Sequence, residues 1–167
     1  MDVSRISCAA LAVIVAASIT ACSTYGPSER FIGMSRQQVI AELGPPRPAP
    51  AQLEEAPRLD FPRGPYGKHT YAVFFDESGR VTGFRQLLTE ENFRSITPGL
   101  NVSQVIERIG VATDTFLIGR NRGYVWNYRY EGTLCRWFQI EFTAENVVRS
   151  AGYGIPPECR VRAPVAR

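Results

Sequence analysis

The amino-acid sequence predicts an α+β fold of two tandem units, each a helix or helix pair packed on one face of a three-stranded antiparallel sheet. Two observations carry this. The stretch Gly33–Gly44, GMSRQQVIAELG, returns as Gly99–Gly110, GLNVSQVIERIG, with Gly, Gln, Val, Ile and the closing Gly at matching places. Downstream of each, Leu59–Val81 aligns without a gap on Trp126–Val148. In that second pair the apolar residues fall at every second position: Leu59/Trp126, Phe61/Tyr128, Tyr71/Phe138 and Val73/Ile140. A helical pattern followed by a strand pattern, repeated in the same order, is the mark of a duplication.

The chain opens MDVSRISCAALAVIVAASITACS, with Arg5 as a thin basic start and an apolar run over Ile6–Ser18. That run is too short to span a bilayer, which takes roughly 20 residues, and has the length of a signal-peptide core. Ile19-Thr20-Ala21-Cys22 resembles the bacterial lipobox, and that resemblance implies a diacylglycerol on the Cys22 thiol after cleavage before it. An ordinary signal peptide with an incidental cysteine is the plainer alternative. Several acyl chains anchor firmly, at about 0.8 kcal/mol per buried CH₂. Ser23, in place of the Asp that retains such proteins at the inner membrane, implies outer-membrane sorting by the same resemblance.

Residues 22–32 read as a tether, with Pro27-Ser28 a place for one helical turn to begin. Ser35 then caps the first helix and Gln38 reaches back to the cap, while Met34 staples onto Val39. Val39, Ile40 and Leu43 make its apolar face, and Gly44 ends it where a left-handed residue costs least. Pro45–Arg58 holds four prolines in its first half and reads as an extended loop, with room for a helical turn at Ala51–Ala56. Arg58–Arg63, His69–Phe75 and Arg80–Leu87 read as strands, joined by the turns Gly64–Gly67 and Asp76–Gly79. On the middle strand Tyr71, Val73 and Phe75 share one face, and Ala72 and Phe74 the other.

Thr89 caps a further helix, EENFRSI, whose acidic first turn suits the positive end of the helix dipole. Asn101, Gln104, Leu100, Val105, Ile106, Ile109 and Gly110 repeat the design of the first core helix. Val111–Gly123 reads as a loop with a GRNRG tip, and Gly123–Tyr130, Leu134–Phe142 and Val147–Tyr153 read as strands. Trp126, Tyr128, Phe138, Ile140 and Phe142 then face the helices, and Trp137 and Cys135 face away. The units are accordingly 33–87, with its leading helix reduced, and 88–160, followed by a basic tail at 161–167.

Composition narrows the chemistry. Lys and Arg number 19 against 16 Asp and Glu, for a net charge of +3, and the charges are interspersed, which argues against a nucleic-acid partner. Of the four cysteines, Cys8 leaves with the leader, and Cys135 and Cys159 remain as an even pair that forms either a disulfide or two separate buried thiols. Neither CxxC nor histidine partners accompany them, so no metal is expected. The single histidine, His69, stands at a strand start with no nucleophile or phosphate-binding motif near it, and an enzyme is not expected.

The string Leu88–Gly110, LTEENFRSITPGLNVSQVIERIG, resembles the start of the BamE (SmpA/OmlA) class of small outer-membrane lipoproteins. Gly33-Met34-Ser35, Gln38-Val39, Leu43-Gly44-Pro45-Pro46 and Phe75–Val81 match that class again in the first unit. The family fold is two helices on a three-stranded antiparallel sheet, and two in tandem resemble the architecture of the beta-lactamase inhibitory protein, whose sheets form a saddle around a partner. The resemblance implies a periplasm-facing, outer-membrane protein bound to lipid through Cys22, with no other cofactor. It would bind protein partners such as the β-barrel assembly complex, or serve envelope integrity. The alternative is an inhibitor or binding module for a soluble enzyme or cell-wall component. Phe74, Trp137, Arg129, Arg120 and Arg122 are the candidate contact residues, since aromatic and Arg side chains are the usual anchors. Burial between the two units is the competing reading for Phe74 and Trp137.

Overall fold

The computed structural model describes residues 25–47, 57–119 and 123–160. The leader at 1–21, Cys22, the middle of the Pro-rich loop and the tail at 161–167 lie outside the described residues. The fold is α+β, with two antiparallel sheets and short helices. In chain order the elements are α1 (Arg36–Leu43), β1 (Arg58–Arg63), β2 (His69–Phe75), β3 (Val81–Gln86), α2 (Glu90–Arg94) and α3 (Val102–Ile109). There follow β4 (Asp114–Leu117), β5 (Tyr124–Arg129), β6 (Trp137–Phe142) and β7 (Val148–Gly154). The sheets run β1-β2-β3 and β4-β5-β6-β7. No helix among the described residues is long and apolar enough to cross a membrane.

Two expectations need correcting. The segment read as a loop after α3 contains β4, which pairs Asp114 with Asn127 and Leu117 with Tyr124, so the second sheet has four strands. Within it the apolar pair Phe116-Leu117 is exposed and adjacent in sequence, so no alternation announced a strand. The end of the segment read as a tether also belongs to the fold. The helical turn expected after Pro27-Ser28 is present as the 3-10 turn Glu29–Phe31, but Phe31 is buried in the first core with Val39, Leu43, Phe61, Val73, Phe75 and Val81.

The two halves repeat each other in register. Leu59 pairs with Val73 and Trp126 with Ile140; Phe61 pairs with Tyr71 and Tyr128 with Phe138. A bulge interrupts the ladder at Phe74/Phe75 in one sheet and at Glu141/Phe142 in the other. Both core helices begin in capping boxes, Ser35 with Gln38 and Asn101 with Gln104. Each helix start is stitched to the last strand of its hairpin. The Gly33 amide donates to the Val81 carbonyl and the Arg36 amide to Gly79, at 2.9 and 3.1 Å. The Gly99 amide donates to Val148 and the Val102 amide to Asn146, again at 2.9 and 3.1 Å.

What joins the halves is α3. Its Val105 and Ile109 share one core cluster with Ala72 and Leu87 from the first half, with Leu88 just past it, and with Tyr128, Ile140 and Phe142 from the second sheet. One face of the first sheet therefore carries α1, and the other carries α3. The last carbonyls of a helix lack partners within it, and here both halves supply donors to those carbonyls and to the two residues just past the helix. Arg58 donates to Glu107 at 2.7 Å and to Ile106 at 3.3 Å, Arg85 to Glu107 at 3.3 Å, and Arg47 to Val111 at 2.7 Å. From the second sheet the Tyr128 hydroxyl donates to the Gly110 carbonyl at 2.8 Å. Burial pushes the pKa of Tyr128 well above the ordinary phenol value, so the proton stays on the oxygen that donates.

Candidate functional site

The face of the second sheet turned away from the helices carries a crosswise row. Arg129 on β5 pairs with Trp137 on β6, and Trp137 pairs with Gly154 on β7. Strand alternation puts these three on one side, because Tyr128 and Phe138 are committed to the core on the other. Gly154 leaves room for what lies next to it. A Cβ there would meet the Gln139 side-chain oxygen at 2.0 Å and the Trp137 indole nitrogen at 2.8 Å. The Trp137 ring is 9% exposed, and its indole N–H is buried with no acceptor among the described residues.

Arg129 is the centre of the arrangement. Its guanidinium lies 5.3 Å from the Trp137 ring centre and 5.7 Å from that of Tyr66, which projects from the β1–β2 turn. Nε donates to Glu158 Oε1 at 2.7 Å and Nη2 to Oε2 at 3.3 Å, while Nη1 pairs with Asp114, the first residue of β4. A planar fork on a carboxylate with rings beside it is the arrangement for which Arg, rather than Lys, is suited. The bond from Arg129 holds the Glu158 carboxyl below the ordinary range, and Glu158, with Asp114 behind it, holds Arg129 above its own.

Arg136 makes a second, similar unit at the start of β6. Its Nε donates to the Tyr130 hydroxyl at 2.6 Å, its Nη2 to Glu90 at 2.7 Å, and its guanidinium sits 4.0 Å from the Tyr153 ring centre. Between the two arginines opens a cleft of about 320 Å³, lined by Tyr66, Lys68, Arg129, Tyr130, Leu134, Arg136, Pro156 and Glu158 among others. Its rim is apolar. Tyr66 is 73% exposed, Leu134 62%, and Ile155, next to the lining residue Pro156, 59%. Below the rim Cys135 and Cys159 are bonded, with Cα atoms 6.1 Å apart. That bond ties the 3-10 turn Pro157–Cys159, and with it Glu158, to the loop before β6.

Of the residues singled out from sequence, Arg129, Trp137, Cys135 and Cys159 come together here. Phe74 does not. It packs against the core shared by α3 and the second sheet, with Arg85 5.4 Å above its ring, because α3 covers the face of the first sheet on which it stands. Arg120 and Arg122 lie outside the described residues. Tyr66, Asp114, Arg136 and Glu158 were not foreseen. Glu158 had a signal, since it adjoins Cys159 and any bond to Cys135 carries it to the start of β6.

His69 is engaged elsewhere: its ring stacks on Tyr25 at 5.3 Å and its Nδ1 lies 3.1 Å from the Gln86 amide. No group of three metal-ligating side chains occurs among the described residues. The site is thus a surface of stacked cations, rings and exposed aliphatics, suited to binding.

No family model matches the chain, and no curated protein matches it. A solved structure that is similar to it is that of a DUF4309 family protein (YjgB) from Bacillus subtilis subsp. subtilis str. 168. The likeness covers 79% of this chain and 88% of that one at 11% identity, with a TM-score of 0.30, and at that score it bears no weight on fold or role.

Proposed function

We propose that this protein is a lipid-anchored outer-membrane lipoprotein that faces the periplasm and works by gripping another protein. The reading of the chain as two BamE-like units, 33–87 and 88–160, produced by tandem duplication, belongs to the same proposal. It is supported by the paired registers, bulges and helix stitches of the two halves. On that reading β4 is an addition to the second unit. The anchor rests on the sequence Ile19-Thr20-Ala21-Cys22, and the β-barrel assembly complex is the partner that the family resemblance implies.

The observation that carries the binding role is the Arg129 site. An arginine set among Tyr66 and Trp137, beside a cleft rimmed by exposed Tyr66, Leu134 and Ile155, has the composition of an interface anchor. Affinity purification of the tagged, lipidated chain from gently solubilised outer membranes, with mass spectrometry of what accompanies it, tests the role. Recovery of the barrel-assembly complex at near-stoichiometric yield is expected. Recovery of a soluble periplasmic enzyme instead makes the protein an inhibitor or receptor. Loss of every companion overturns the binding role. The anchor has its own check: Cys22→Ala abolishes palmitate labelling, and labelling that persists in that variant refutes it.

A further inference from the structure

The chain leaves β7 at the edge of the second sheet and does not end there. It turns at buried Pro156 and reaches back past β6 to β5, where Glu158 meets Arg129. Besides the burial of Pro156, two attachments hold this crossing segment, residues 155–160: the bond of Cys159 to Cys135 and the fork of Glu158 on Arg129. The Glu158 side chain is 45% exposed, so the Arg129 fork is filled by a carboxylate reachable from solvent, whereas the Arg129 side chain itself is only 18% exposed.

We infer that residues 155–160 are a disulfide-latched strap that fills the Arg129 fork with an internal carboxylate. Once unlatched, the strap yields that fork to a carboxylate of an acidic, aliphatic-rich partner segment. This rests on the partner-binding reading and adds its regulation. Arg129 is a carboxylate receptor by its chemistry, with rings beside it and an apolar rim for the partner's neighbouring side chains. A tethered carboxylate competes at a high effective concentration that depends on the shortness of its tether. The disulfide sets that shortness. Without it the strap keeps the packing of Pro156 and a partly exposed ion pair, and the ion pair contributes little.

The unlatching agent is a dithiol. Its thiolate attacks the sulfur of Cys135, the more exposed of the pair, and Cys159 leaves as a thiolate that takes a proton from water. The second thiol of the dithiol then displaces Cys135. The protein disulfide gains two electrons, and the dithiol becomes a disulfide.

The test compares three forms of the full lipidated chain in detergent micelles: oxidised, reduced with dithiothreitol, and oxidised Glu158→Gln. Hydrogen-exchange mass spectrometry follows 155–160 against the β6 amides, and fluorescence anisotropy follows binding of a labelled Glu-Leu-Glu-Leu-Glu peptide. Reduction is expected to speed exchange in the strap at least tenfold with β6 nearly unchanged. The peptide is expected to bind the reduced and Glu158→Gln forms at least tenfold more tightly than the oxidised form. Equal strap exchange before and after reduction overturns the inference, as does equal peptide affinity in all three forms. Where reduction loosens β6 as well, the oxidised Glu158→Gln form decides, and no gain in affinity there overturns the inference. An empty affinity purification alongside a strap that opens sinks the partner-binding role and leaves the latch standing.

Discussion

Arg58 and Glu107 meet across the seam between the two halves. The Arg58 Nη1 donates to the Glu107 carbonyl in the last turn of α3 at 2.7 Å, while Nε and Nη2 fork onto Asp60 at 2.6 and 2.8 Å. Both side chains are largely buried, at 16% and 15% exposure. A carboxylate near a helix C-terminus is unfavourable by itself, and Arg58 neutralises it and satisfies the helix carbonyls at once. Arg58→Ala is therefore expected to cost about 3 kcal/mol in urea unfolding, because it strands Asp60 as well as Glu107. Arg58→Ala with Asp60→Ala together should cost less than the sum of the two single changes, and strict additivity refutes the coupling.

The two capping boxes are matched experiments within one chain. Asn101 Oδ1 accepts from the Gln104 amide at 2.9 Å, and Ser35 Oγ from the Gln38 amide at 3.3 Å. Asn101→Ala and Ser35→Ala should each lower stability by about 1 kcal/mol. Asn101→Ser should restore most of the first loss, because the hydroxyl reaches the same amide. Guanidinium unfolding curves of the three variants give the comparison.

Gly123 enters β5 at a φ of +118°, and a Cβ there would sit 1.9 Å from the backbone oxygen of Phe142. The obstacle is main chain in the neighbouring strand and has no rotamer to yield. Gly123→Ala should destabilise by more than about 3 kcal/mol. A thermal midpoint within a degree or two of the parent chain contradicts this packing.

The Glu158 carboxyl is held below its ordinary value, first by the hydrogen bond from Arg129 and then by its own backbone amide. Its folded value thus lies below the unfolded one of about 4.3. The strap contact is complete above the unfolded value and is lost as the pH falls through the depressed folded value. Carbon-detected NMR titration should place the Glu158 midpoint below that of a free Glu. Arg129→Ala should raise it toward the ordinary carboxyl value, and an unmoved midpoint refutes the pairing.

The α+β class was legible because the sequence keeps two periods apart. Val39 and Leu43, or Val105 and Ile109, recur at helical spacing, while Phe61, Val73 and Ile140 belong to two-residue alternations. Strand β4 was not legible, because its four residues run Asp-Thr-Phe-Leu and their identity as a strand comes from pairing with β5. The partial burial of Phe74 against the shared core matches the competing reading of it as a residue packed between the halves, though the sequence did not say which element would cover it. Local pattern gives its face of β2 but does not say that α3 returns to cover that face. At the candidate site, Arg129 and Trp137 could be picked by residue type, whereas Tyr66, Asp114 and Glu158 converge on them from three separate turns and strand ends.

The position of α3 between the sheets also sets an order of events. A chain is made from its N-terminus, so β1, β2 and β3 exist before Ile109 does. Until α3 is available, the side of the first sheet that carries Ala72 and Phe74 has nothing to lie against, and Arg58 and Asp60 have no helix end to hold. The N-terminal half therefore emerges as a half-finished object with an open apolar flank, the kind of intermediate that attracts chaperones or aggregates. That flank closes only when α3 arrives to pack against both sheets.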